Sequence, residues 1–269
     1  MFSSFMINAW LSGTIIALLV GAVGFFVVLR GSAFAAHAIP NGAFAGAAGA
    51  NLIGVNPLLG LVSFALVAAF GIGASSKWAK SDVAAALALV TMLALGAAFL
   101  ASSTNYEPAI NALLFGEILG VSSSEILPVI LLAVLCGLGL TFLFRPLLYS
   151  SVSDELSRAS GLNTTVIEVL FLIIMALSSA LAVPVVGALL TFSLMIGPPA
   201  AARLLSSRPS RALWYSMMFS LLTLWVSIAS SYVFNLPIGF FVGTLSAVTY
   251  LAVRTWVVVS ARRVAVTIA

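Results

Sequence analysis

The sequence predicts an all-α fold, a polytopic integral membrane bundle of about eight or nine transmembrane helices. Of the 269 residues, 62% are hydrophobic and only 7% are charged, so charged side chains cannot cover a water-facing surface. Apolar runs of about 20 residues, the length with which a helix crosses a bilayer, recur along the chain. We therefore expect one transmembrane domain over residues 1–269, with membrane lipid as its surroundings.

The apolar runs define the predicted helices in chain order. Single crossings are expected at 5–29, 34–53, 58–75, 83–101, 126–144, 212–234 and 238–259. The run at 166–202 is too long for one crossing and contains Pro184, so it predicts a hairpin. The piece 109–119 is too short to cross and carries Glu117, which favours a surface or re-entrant helix.

The cations give these crossings an orientation. Alternating the segments from an N-terminus outside the cell places all eleven lysines and arginines on one face. That face is expected to be the cytoplasm, because positive residues accumulate on the cytoplasmic side. A crossing by 109–119 would divide the cations between the two faces. The pattern therefore predicts an outside N-terminus, a cytoplasmic C-terminus and no crossing by 109–119.

Residues 145–163 form a polar stretch between two crossings, and they predict a short amphipathic cytoplasmic helix. Ser151 is the expected N-cap, with Asp154 three residues later, and Gly161 is the expected stop. One interpretation is an ordinary solvated loop, which the spacing alone favours. The other is a coupling helix for a soluble partner, formed by Val152, Asp154, Glu155, Leu156, Arg158 and Gly161.

His37 is the only histidine of the chain, and it lies within the second apolar run. Ionisable groups in a membrane usually face a protein interior or an aqueous path. Asn41 follows one helical turn later, so the two side chains could transiently bind a divalent cation such as zinc. Glu168 is a second candidate for this path. For His37, spacing alone favours a hydrogen bond to a neighbouring helix or a position at the headgroup level. For Glu168, the position near the interface favours a side chain that reaches water or stabilises the helix N-terminus.

Three acids, Glu107, Glu117 and Glu125, fall on the predicted outer face. They suit an outer mouth that attracts cations or receives a delivery protein, and a plain solvated surface explains them almost as well. Small residues at 38, 42, 46, 49 and 50 predict close packing of the second helix within the bundle.

Several function classes are disfavoured. A Walker A loop requires Gly-Lys-Ser/Thr, and the only two lysines, Lys77 and Lys80, follow serine and alanine. A single histidine leaves no Ser/His/Asp set. No paired acids lie within the apolar runs, although a proton-coupled carrier would need them. The chain is therefore not expected to be an enzyme or to bind ATP in that way.

Over nearly its full length the chain resembles the membrane permeases of ABC-type zinc, manganese and iron uptake systems, and five stretches carry the resemblance. They are VVLRGSAFAAHAIPNG (27–42), LLFGEILGVSSSEI (113–126), SVSDELSRASG (151–161), VVGALLTFSLMIGPPAAARLL (185–205) and SSYVFNLPIGF (230–240). Two positions depart from the family pattern. The aspartate that often precedes the histidine is absent near Ser32 and Ala33, and Ser153 stands where the loop often has aspartate.

The resemblance implies a permease subunit of the bacterial plasma membrane that forms the path of an ATP-driven metal importer. It implies two cytoplasmic ATPase subunits that hydrolyse ATP, an external substrate-binding protein, and a second permease copy or paralogue. No permanent cofactor and no nucleic acid partner are expected, and the metal ion is cargo. An ATP-independent channel or carrier, an importer of a metal chelate, and a non-transporting scaffold subunit remain alternatives.

Overall fold

The computed structural model describes residues 4–75, 81–102, 116, 123–152, 157 and 160–268, and nearly all of this part of the chain is helical. Within it the elements are α1 (Ser4–Arg30), α2 (Ala33–Leu52), α3 (Pro57–Ser75), α4 (Ser81–Ala101), α5 (Ser123–Val152), α6 (Thr164–Val186), α7 (Ala188–Leu205), α8 (Pro209–Phe234) and α9 (Ile238–Ile268). All except α2 and α7 are long and apolar enough to cross a membrane alone. The predicted all-α membrane bundle is confirmed.

Helix α2 lies at the centre and packs against α3 and α4. Its contacts use the predicted stripe of small residues. A Cβ atom on Gly46 would overlap the backbone of Gly60 and lie 2.6 Å from the Cβ of Phe64. A Cβ on Gly42 would lie 3.0 Å from Ala68. Glycine therefore lets the α2 and α3 backbones touch, as in other closely packed membrane helices.

Hydrogen bonds in the bundle fix the relative directions of α1 and α8. Ser216 Oγ donates to the carbonyl of Gly21 over 2.6 Å. Trp225 Nε1 donates to Thr14 Oγ1 over 3.0 Å. Residues later in α8 thus meet residues earlier in α1, so the two helices are antiparallel.

Several helix ends meet at one end of the bundle, which we call the basic end. Arg30, at the end of α1, hydrogen-bonds Ser150 near the end of α5 and lies over the ring of Phe171 early in α6. Arg203, near the end of α7, donates to the carbonyl of Val28 over 3.3 Å. The alternation predicted from the cations therefore agrees with these contacts.

The connection between α4 and α5 begins and ends at the other end, which we call the opposite end. α4 runs parallel to α2, since a Cβ on Gly42 would lie 3.5 Å from Met92 and a Cβ on Gly49, later in α2, would lie 3.0 Å from Phe99, later in α4. Gly116 lies against the α6–α7 turn at the same end, where a Cβ would lie 2.8 Å from the nitrogen of Gly187. The predicted piece 109–119 lies outside the described residues apart from Gly116. The described helix α4 ends, and α5 begins, at this same end of the bundle.

The predicted hairpin is formed by α6 and α7. Gly187 joins them with a φ of 93°, a backbone conformation that favours glycine. Pro198 and Pro199 lie inside α7 and do not end it. Pro199 has no N–H to donate to the carbonyl of Met195. The carbonyl oxygen of Met195 lies so close to Gly24 of α1 that a Cβ atom on Gly24 would overlap it.

The end of α5 differs from the prediction. The helix continues to Val152, whereas a crossing that ends at residue 144 was expected. Arginine is a good helix former whose long side chain reaches water, so Arg145 does not stop the helix. Ser151 lies inside α5, and its hydroxyl donates to the carbonyl of Leu148 over 2.8 Å. The predicted N-cap role of Ser151 is therefore wrong, because serine satisfies its hydroxyl within a helix in this way.

Candidate functional site

His37 lies near the start of the central helix α2, and its ring meets α7. The ring is half-buried and packs edge-on against Phe192, with 4.9 Å between ring centroids. Its Nδ1 atom is buried and has no hydrogen-bond partner among the described residues. A buried imidazole nitrogen without a partner is costly unless something else binds it. The structure thus presents one nitrogen ligand at the contact between α2 and α7.

Asn41 lies one turn further along α2, and its side chain is almost fully buried. Its Nδ2 donates to the carbonyl oxygen of His37 over 2.7 Å. The amide nitrogen is thereby committed to the backbone, and only Oδ1 has the chemistry of a metal ligand. The sequence-predicted neighbours are thus brought together, and Asn41 fixes the backbone that carries His37.

Glu168 is half-buried early in α6. No described contact joins it to His37, so its role in a path stays a prediction. The described residues contain no cluster of three or more histidine, cysteine or acidic side chains that could hold a metal ion.

The predicted coupling surface lies at the basic end and is described in part. Val152, at the end of α5, is 78% exposed. Gly161 has a φ of 74°, and the N–H of Leu162 donates to the carbonyl of Ser157 over 3.0 Å. This is the backbone pattern with which a left-handed glycine ends a helix. The remaining predicted coupling residues, Asp154, Glu155, Leu156 and Arg158, lie outside the described residues.

The predicted outer acids are also described in part. Glu125 lies at the start of α5, at the opposite end, and its side chain falls outside the described part. Glu107 and Glu117 lie outside the described residues altogether. The outer-mouth role therefore stays a prediction.

Two residues at these sites were not singled out from the sequence. Phe192 is one aromatic residue in a long apolar run, and no spacing signal pairs it with His37. Arg30 served in the sequence only as an orientation charge. Its position at the end of an apolar run, directly before a glycine, was the one available signal that it could be held by neighbouring helices.

Comparisons with known proteins identify the family of this chain. Residues 2–256 match the family described as "ABC 3 transport family". The chain is similar to the manganese transport system membrane protein MntC of Listeria monocytogenes, with 28% identity and coverage of 88% of this chain and 85% of the relative. It is similar to the manganese import system permease protein ScaB of Streptococcus pneumoniae, with 30% identity and coverage of 92% and 88%. It is also similar to the high-affinity zinc uptake system membrane protein ZnuB of Buchnera aphidicola, with 27% identity and coverage of 85% and 88%.

Solved structures agree with the fold. PsaBC from Streptococcus pneumoniae, in complex with Fab, includes a chain that matches with a TM-score of 0.84 and 25% identity, over 93% of this chain and 91% of that one. A putative metal-chelate type ABC transporter in an inward-facing conformation matches with a TM-score of 0.74 and 16% identity, over 93% and 85%; this second likeness shows the fold alone. The resemblance noted in the sequence is confirmed, and the chain belongs to the ABC 3 transport family of multi-pass membrane proteins.

Proposed function

We propose that this chain is the permease subunit of an ATP-driven importer of a divalent first-row metal ion, with manganese and zinc as the candidate substrates. The observation that carries the proposal is the buried Nδ1 atom of His37, which has no described hydrogen-bond partner and lies on the central helix α2. The relatives that match most of this chain are named for manganese and zinc transport. Imidazole nitrogen suits zinc, and a carbonyl oxygen such as Oδ1 of Asn41 suits manganese. The absence of a described ligand cluster suits a path that releases its ion.

The proposed path runs along α2 and α7, past His37 and Asn41. Glu168 is proposed as an acid at the basic end of this path. The basic end faces the cytoplasm of a bacterial plasma membrane, because cations accumulate on that side, and the N-terminus lies outside. Glu107, Glu117 and Glu125 then lie at the outer mouth, where an external binding protein would deliver the ion. A second permease copy or paralogue completes the path.

ATP hydrolysis is proposed to take place on separate ATPase subunits, which dock at the coupling segment 145–163. Exposed Val152, at the end of α5, and the left-handed Gly161, just before α6, lie at the two ends of the connection between these helices. Movement of this segment would act on both helices at once. Metal uptake into right-side-out vesicles or proteoliposomes that contain the whole importer, with ATP supplied on the side of the basic end, tests this proposal. Uptake that requires ATP supports it, and equal uptake without ATP would instead identify a channel or an ion-coupled carrier.

The docking role predicts a large effect of Leu156→Asp. Leu156 belongs to the predicted apolar face of the coupling segment, and an aspartate there would be desolvated against the ATPase. A central interface residue contributes roughly 2 kcal/mol or more, about thirtyfold in affinity. We expect the ATPase to be lost during co-purification and metal uptake to fall with it.

Leu236→Asp is the matched control, because Leu236 is an exposed leucine between α8 and α9, at the opposite end. It should leave ATPase binding unchanged. Unchanged ATPase binding and uptake in the Leu156→Asp variant would show that 145–163 is an ordinary loop.

A further inference from the structure

Arg30 joins the two helices on either side of the coupling segment. Its guanidinium Nη1 donates to Ser150 Oγ, close to the end of α5. The same guanidinium carbon lies 5.7 Å from the centroid of the Phe171 ring, early in α6. Residues 153–163, the later part of the coupling segment, connect α5 to α6, so one side chain of α1 contacts both helices to which this connection is attached.

The chemistry of these contacts suits arginine better than lysine. The planar guanidinium can donate a hydrogen bond along its edge while its face covers an aromatic ring, whereas a lysine ammonium has no such face. Arg30 is half-buried and Phe171 is almost fully buried, so water screens the contacts less than at a surface. Arg203 offers a contrast at the same end, since it is exposed and has one described bond, to the carbonyl of Val28.

Arg30 is also tied closely to the helix that carries His37. The N–H of Ser32 donates to the carbonyl of Val27 over 3.0 Å across Gly31, whose φ is 70°; this pattern ends α1. The N–H of Ala36 then donates to the carbonyl of Ser32 over 3.1 Å, which begins α2. Only two residues separate Arg30 from α2, so the backbone of Arg30 is connected almost directly to the base of α2.

We propose that Arg30 is the positioning residue that transmits movement of the coupling segment to α2 and its histidine. This inference rests on the proposed function, because it needs an ATPase that moves the segment. Arg30 itself touches neither metal nor nucleotide in this account. Its loss uncouples ATP hydrolysis from transport without removing the docking surface.

The test is the ratio of metal transported to ATP hydrolysed by the complete importer in proteoliposomes. We expect Arg30→Gln to assemble with the ATPase and to hydrolyse ATP, with a ratio reduced at least about tenfold, the factor that loss of one hydrogen bond to a charged group allows. Arg30→Lys should restore only part of the ratio. Ser150→Ala should lower it less, and the double variant should be no worse than Arg30→Gln, since both changes remove the same contact.

Arg203→Gln is the matched control and should keep the wild-type ratio. An equal fall in this control would overturn the inference, because a general charge effect at the basic end would then explain the result. A wild-type ratio in Arg30→Gln would overturn it as well. If Arg30→Gln cannot be purified, wild-type ratios in both Arg30→Lys and Ser150→Ala would overturn the inference. ATP-independent uptake by the unaltered importer would contradict the proposed function itself, and this inference with it.

Discussion

Replacing His37 with alanine is expected to reduce metal uptake at least about tenfold while the protein remains folded. The change removes the one described imidazole at the contact between α2 and α7. Loss of even an outer-shell partner of a metal ligand typically costs about 10–100-fold in metal affinity or activity. The measurement is the initial rate of manganese and zinc uptake into vesicles, at equal amounts of assembled importer.

His37→Phe separates metal binding from packing. Phenylalanine can retain the edge-on contact with Phe192 but has no ring nitrogen. The account therefore predicts that this variant transports as poorly as the alanine variant. Uptake at the wild-type rate in His37→Phe would leave His37 with a packing role only.

Replacing Gly46 with leucine is expected to have the largest effect on stability. Its Cβ would overlap the backbone of Gly60 and press on Phe64, so α2 and α3 would have to separate. Overpacking of a close contact typically costs about 1–3 kcal/mol, and the backbone shift places this change at the upper end of that range. Roughly 3 kcal/mol corresponds to about 6–12 °C in a protein of this size. Thermal unfolding in detergent measures the change.

Gly71→Leu provides the matched control, because nothing lies within 4 Å of a Cβ at this α3 position. Its unfolding temperature should stay close to that of the unaltered protein. Equal losses in both variants would mean that leucine on α3 or α2 is harmful for another reason. An unchanged temperature in Gly46→Leu would contradict the close backbone contact.

Much of the fold could be predicted because the bilayer imposes simple rules. The lengths of the apolar runs predicted where the helices lie, and the placement of the cations predicted that successive crossings alternate in direction. The stripe of small residues on α2 predicted its close packing, which Gly42 and Gly46 confirm. These signals are local, so a single sequence contains them.

The end of α5 could not be predicted in this way. In the sequence, Arg145 indicated the end of a crossing and Ser151 indicated an N-cap. In the structure, Arg145 lies within α5, and the hydroxyl of Ser151 donates to the carbonyl of Leu148. Whether a serine caps a helix or continues one depends on the backbone that precedes it, and composition does not show this.

The candidate site was predicted in part for a related reason. His37 and Asn41 share a helix, so their spacing placed them together. Phe192 and Arg30 act through partners far away in the chain, and no period or motif connects Phe192 to His37 or Arg30 to Ser150 and Phe171. Such pairs appear only once the helices are packed.

Cellular metal content tests the central claim most directly. Manganese, zinc and iron would be measured by elemental mass spectrometry in a deletion strain and its complemented parent, both grown in chelator-limited medium. The account predicts a selective fall in manganese or zinc that the intact chain restores and the His37→Ala variant does not. No change in any of the three metals, in a strain with no other active importer for them, would contradict metal import as the function of this chain.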